Sequence, residues 1–102
     1  MNKYAEYVKE KLTERELLEQ LAEEAAELSQ AALKLIRARG YSNNVTPLRE
    51  WDAAANLFEE VQDVAAVIYL LDDYGLNSAV DGVDDYWKWG RWAGRLGYKK
   101  DE

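Results

Sequence analysis

Leu17, Leu21, Ala25, Leu28, Ala32 and Leu35 recur at intervals of four or three residues. An α-helix turns about 100° per residue, so this spacing lays one apolar stripe along a single long helix. The helix has a start and a stop. Thr13-Glu14-Arg15-Glu16 reads as a capping box, with Thr13 as the N-cap and Glu16 reaching back to it. Gly40 stands where a C-terminal glycine ends a helix.

The rest of the chain follows the same grammar. Asn2 to Leu12 is a short helix candidate. Tyr41 to Val45 reads as a loop, with Asn43-Asn44 suited to a turn. Thr46-Pro47 predicts a new helix, with Thr as N-cap and Pro in the first helical position, running to Tyr74 with Gly75 as its stop. Its back half, Val61 to Leu71, is apolar over most of its circumference and is expected to be the most buried helix. Asn77 or Ser78 begins a last helix that ends at Leu96-Gly97, weakened by Gly82, Gly90 and Gly94 at about 1 kcal/mol each. The tail from Tyr98 is expected to fray. Ala and Leu supply 14 and 13 residues against 11 for Val, Ile and Thr together, which favours helix over sheet. The expected fold is an all-α helical bundle over residues 1–102, one domain built on two long antiparallel helices with shorter flanking helices. At about 1.5 Å per residue each long helix approaches 40 Å, too long for so few residues to cover. A homodimer or homotetramer is therefore expected.

Composition narrows the chemistry. The chain has no cysteine and no histidine, which removes disulfides, thiolate chemistry, imidazole acid–base catalysis and thiolate zinc sites. What remains for catalysis is carboxylates, Lys, Arg, Tyr and a hard metal ion, which takes oxygen ligands. The net charge of −7 makes the chain a poor non-specific binder of nucleic acid. No apolar run approaches the roughly 20 residues of a membrane span, and the start does not resemble a secretory signal. No nucleic-acid or membrane partner is expected, and a cytoplasmic location is.

Two pairs of carboxylates stand at helical spacing: Glu24 with Glu27, and Glu60 with Asp63, each three residues apart. Residues i and i+3 share a helix face. Glu24 falls on the edge of the Leu21/Leu28 stripe and Glu27 further round. Glu60 projects from the side of Val64, Val67 and Leu71, where a carboxylate must be neutralised, paired or bound to a cation. Four carboxylates converging between the helices form an all-oxygen site suited to Mg²⁺ or Mn²⁺. Without histidine a di-iron arrangement is not completed.

At these residues the chain resembles a known family. Leu21-Ala22-Glu23-Glu24-Ala25-Ala26-Glu27-Leu28 and Asn56-Leu57-Phe58-Glu59-Glu60-Val61-Gln62-Asp63-Val64 resemble the paired ExxE and ExxD motifs of the MazG-like, all-α nucleoside triphosphate pyrophosphohydrolases. The resemblance spans Thr13 to Leu96, with a Glu27-to-Glu60 segment on the long side. It implies that Glu24, Glu27, Glu60 and Asp63 are the catalytic carboxylates and ligate Mg²⁺, with Mn²⁺ as a substitute. It also implies cleavage of a nucleoside triphosphate between the α and β phosphates, giving a monophosphate and pyrophosphate. Glu23 and Glu59 turn away from the stripe and are expected to face solvent.

Substrate-binding candidates complete the reading. Lys88, Arg91 and Arg95 recur at three and four residues and form a basic stripe, which resembles the family's basic positions after ExxD. Lys34 lies seven residues beyond Glu27 on nearly the same face. Among the four tryptophans, Trp51 is the candidate for stacking on a base, and Asn56 lies one turn before Glu60 as a hydrogen-bonding candidate. Two rival expectations stand beside the enzyme: a nucleotide sensor that has lost catalysis, and a structural helical interaction module whose carboxylates are simply solvated.

Overall fold

The structure is a computed structural model and describes residues 1–41 and 48–99. Every regular element among the described residues is helical. They are α1 (Lys3–Lys11), α2 (Glu14–Ala38), α3 (Glu50–Leu70), α4 (Leu76–Asp81) and α5 (Trp89–Arg95), with 3₁₀ turns at Asp72–Tyr74 and Val83–Asp85. None is long and apolar enough to cross a membrane.

Local chemistry sets most of the boundaries. Asn2 caps α1 by accepting from the Ala5 amide at 2.8 Å. Thr13 caps α2 in the extended conformation. Its hydroxyl accepts from the Glu16 amide at 3.1 Å, and the Glu16 carboxylate accepts from the Thr13 amide at 3.0 Å. Two amides that the helix cannot pair are thereby satisfied. The Thr13 amide first, and the Thr13 hydroxyl second, hold the Glu16 carboxyl below its ordinary pKa. Gly40 ends α2 at φ +76°, and Gly75 follows α3 and its 3₁₀ turn at φ +68°, both in the left-handed region that glycine enters without steric cost.

Two boundaries differ from the sequence expectation. The second long helix begins at Glu50 with Arg49 as its N-cap, not at Thr46. The expected Asn43-Asn44 turn and the Thr46-Pro47 start lie outside the described residues. The last helix is not continuous either. It breaks at Gly82 and again at Tyr86, which is extended at φ −60°, ψ 120°. Glycine lowers helix propensity there, and no neighbouring helix packs alongside to offset it.

The core is small and lies where four elements meet. Leu17 at the start of α2 packs with Val67 and Leu71 at the end of α3, joined by Leu12, Leu21, Leu70 and Leu76. At the opposite end, Arg39 after α2 pairs with Glu50 at the start of α3 at 2.9 Å. The inward face of α2 is Leu17, Leu21, Glu24, Leu28, Ala31 and Leu35, at least half-buried throughout, whereas Ala25 and Ala32 are exposed. That corrects the expected stripe: the four–three spacing is right, but its middle members are Glu24 and Ala31. The Val61–Leu71 half of α3 is the most buried stretch, as expected: it carries Val67 and Leu71 of the core, with α2 and α4 packed against it. Val61 and Tyr69 within it are still exposed.

Candidate metal centre

Glu24 sits midway along the inward face of α2, between Leu21 and Leu28. Glu60 and Asp63 sit on the inward face of α3, between the buried Ala53 and Val67. The i, i+3 spacing aims Glu60 and Asp63 the same way, and the packing of α2 on α3 brings Glu24 opposite. One carboxylate oxygen from each of the three lies within 4.8 Å of the others. All three residues are half-buried.

Hydrogen bonding around these groups is incomplete. Gln20 donates its amide to Glu24 at 2.7 Å, one helical turn away. The other carboxylate oxygen of Glu24, Oε2, is buried with no hydrogen-bond partner, and Glu60 Oε2 is in the same condition. A carboxylate oxygen withdrawn from water without a donor is costly unless a cation meets it. The electrostatics agree. Burial pushes the Glu60 carboxyl above its ordinary range, and the charges of Glu27, Asp63 and Glu24 push it the same way. The donor set is all oxygen, from three acidic side chains, which suits a hard divalent cation. On these observations the residues fit such an ion.

Glu27 stands apart from the three. It is exposed on α2, yet close enough for its charge to raise the Glu60 carboxyl, so it borders the cluster without joining its closest group. Glu23 and Glu59 face solvent. Asn56 is half-buried on the inward side of α3, one turn before Glu60. Lys34 is exposed on α2, toward the Glu27 side.

Trp51 is not brought to the carboxylates. Nine residues at about 100° each place it half a turn round from Glu60. There it is 82% exposed and lines an apolar groove of about 340 Å³ with Ala54, Ala55 and Phe58. Lys88, Arg91 and Arg95 do converge, around a shallow concavity of about 170 Å³ that Tyr86 and Trp92 also line. Lys88 and Arg91 both lie over the Trp87 ring, at 5.2 and 5.8 Å from its centroid. Trp89 stacks on Trp92 at 5.5 Å.

Sequence reasoning missed two participants. Gln20 carried a usable signal, its i, i+4 relation to Glu24. Tyr86 carried none, because the break that places it beside α5 is not a periodic feature.

Comparison with known proteins returned no matching family model, no matching curated protein and no matching solved structure.

Proposed function

We propose that this chain is a Mg²⁺-dependent nucleoside triphosphate pyrophosphohydrolase of the MazG-like kind, with Mn²⁺ able to substitute. One observation carries the reading. Three carboxylates from two helices converge in an otherwise apolar seam, and two of their buried oxygens have no hydrogen-bond partner. A solvated acidic face does not bury its oxygens, and a structural ion pair would bring a cation.

In this reading Glu24, Glu60 and Asp63 hold the ion, Gln20 fixes the Glu24 carboxylate, and Glu27 adds a fourth negative charge at the rim, which the ion offsets. The ion's contribution is charge neutralisation of the triphosphate and a more acidic water. Lys88, Arg91 and Arg95 bind phosphate oxygens, the arginines through paired N–H groups and the lysine as a point charge. Asn56 and Lys34 lie near enough along their helices to contact substrate. Positioning and electrostatics supply most of the catalysis in displacement at phosphorus, so the absence of histidine is no obstacle.

The helix pair is read as antiparallel, because the start of α2 meets the end of α3 and the end of α2 meets its start. The assembly is read as a homodimer or homotetramer in the cytoplasm. The chain exposes 8492 Å², where a compact chain of this mass exposes about 5900 Å². The excess is of the size that obligate oligomers bury.

The test is incubation with ribo- and deoxyribonucleoside triphosphates and Mg²⁺, followed by chromatography. Monophosphate and pyrophosphate are expected; diphosphate and orthophosphate would overturn the reading. The uncovered apolar side of α3 favours a second reading, a purely structural helical module. Saturable Mg²⁺ binding that requires Glu24, Glu60 and Asp63 excludes it, and nucleotide binding without turnover would leave the sensor.

A further inference from the structure

Two parts of the chain are left electrostatically open. No ion pair among the described residues reaches Glu24, Glu27, Glu60 or Asp63, and none reaches Lys88, Arg91 or Arg95. Residues 86–99 contain four cations and no acidic residue. Yet the two parts do not meet within one chain. Among the described residues α5 makes no substantial contact with any other helix; the chain reaches it from α4, which packs on the end of α3, through the 3₁₀ turn at Val83–Asp85. The arm also leaves apolar surface in water, with Trp87 70% and Leu96 80% exposed.

We propose that residues 86–96 of one copy dock over the α2–α3 carboxylate face of a second copy and supply the cations for its triphosphate. Charge complementarity favours that face: residues 86–96 carry three cations and no carboxylate, and Glu24, Glu27, Glu60 and Asp63 gather on the α2–α3 face with no ion pair among the described residues. The arm is prepared for the contact, because its cations gather round one concavity and stack on Trp87 instead of pairing within the chain. Under two-fold symmetry the contact is reciprocal, so each dimer holds two complete sites. The role of the cations rests on the pyrophosphohydrolase reading; the docking does not. Single-stranded nucleic acid is the rival occupant of a basic, aromatic arm, and the net charge of −7 opposes it.

Cysteine cross-linking tests the docking in a chain that has no cysteine of its own. Gly90→Cys is made in isotopically heavy chain, since a Cβ there meets nothing within 4 Å. Glu59→Cys is made in light chain, and the two are mixed, allowed to exchange subunits and treated with a short bismaleimide. A heavy–light link between positions 90 and 59 is expected, lost when Lys88, Arg91 and Arg95 are all changed to Gln. No link, or a link indifferent to those changes, would overturn the docking. So would a link abolished by a single-stranded oligonucleotide, which would give the arm to nucleic acid.

Complementation tests the role of the cations. Glu60→Gln chains and chains with the three Gln changes are each expected to be inactive. Mixed, they regain about a quarter of the wild-type rate, because about half the dimers are mixed and each has one complete site. No recovery with an active wild type would overturn delivery of the cations from a second copy. A wild type that releases no pyrophosphate removes the hydrolase reading, and the cross-link then decides the docking alone.

Discussion

Replacing Glu60 by Gln keeps the shape of the side chain and removes one negative charge from the α2–α3 seam. A group whose pKa is higher folded than unfolded favours folding at low pH and loses that contribution as the pH rises through its folded pKa. Glu60 is such a group, raised by burial and by Glu27, Asp63 and Glu24. In chelator-containing buffer, Glu60→Gln is therefore expected to melt above the wild type, with a gap that widens as the pH rises from the ordinary glutamate range. Thermal melts across pH check this, and a constant gap would refute the assignment. With Mg²⁺ the order reverses: saturating ion at 100 times its Kd stabilises the wild type by about 2.7 kcal/mol and leaves the Gln variant unmoved. Arg91 is argued at the same scale. A charge-assisted phosphate contact contributes roughly 1.5–3 kcal/mol, so Arg91→Ala should lower kcat/KM by about one to two decades. Its melting temperature should stay near that of the wild type, because Arg91 is exposed and packs only on Trp87. Wild-type kinetics in that variant would remove the phosphate role. The convergence of Glu24, Glu60 and Asp63 on one seam was legible in their types and spacing. The orphaned oxygens of Glu24 and Glu60 were not, since burial depends on what the opposite helix presents.

At the scale of elements, the start of α2 rests on two reciprocal hydrogen bonds between Thr13 and Glu16. Thr13→Ala removes one and strands an amide, at a cost of about 1 kcal/mol. A chain of this size should then melt about 4–8 °C lower, with α2 otherwise intact by circular dichroism. An unchanged melting temperature would show that packing alone defines the start. Caps and glycine stops are short-range, which is why Thr13, Gly40 and Gly75 could be read from neighbours in sequence. The start of α3 at Glu50 could not: Arg49 makes no side-chain capping bond, and its position owes something to the Arg39–Glu50 pair across the gap. The break at Tyr86 was hidden for a related reason. Its glycines marked weakness, but only the lack of a packing partner turns weakness into a break.

The whole molecule is extended for its length. Its radius of gyration is 17.7 Å, where a compact chain of 102 residues has about 13 Å. Trp51 and Phe58 line the groove on the side of α3 away from α2, both largely exposed. Sedimentation equilibrium is expected to return a mass of at least two chains at micromolar concentration. Phe58→Asp places a charge in that groove and should weaken assembly by about two decades or more in Kd. A wild type that sediments as a monomer would remove the oligomer. Retained assembly in Phe58→Asp would leave the docking of residues 86–96 as the contact that holds the copies together.

The sequence by itself determined the helical class and several caps and stops, because each follows from residue type and from spacings of a few residues. Tertiary structure alone decided that Glu24, Glu60 and Asp63 form the close group with Glu27 at its rim, that Trp51 lies on the opposite side, and that the basic arm stands away from the carboxylates. These outcomes depend on the rotation of each helix about its own axis and on which helix it meets. Periodicity fixes the angle between two faces of one helix, and only packing says which face is turned inward.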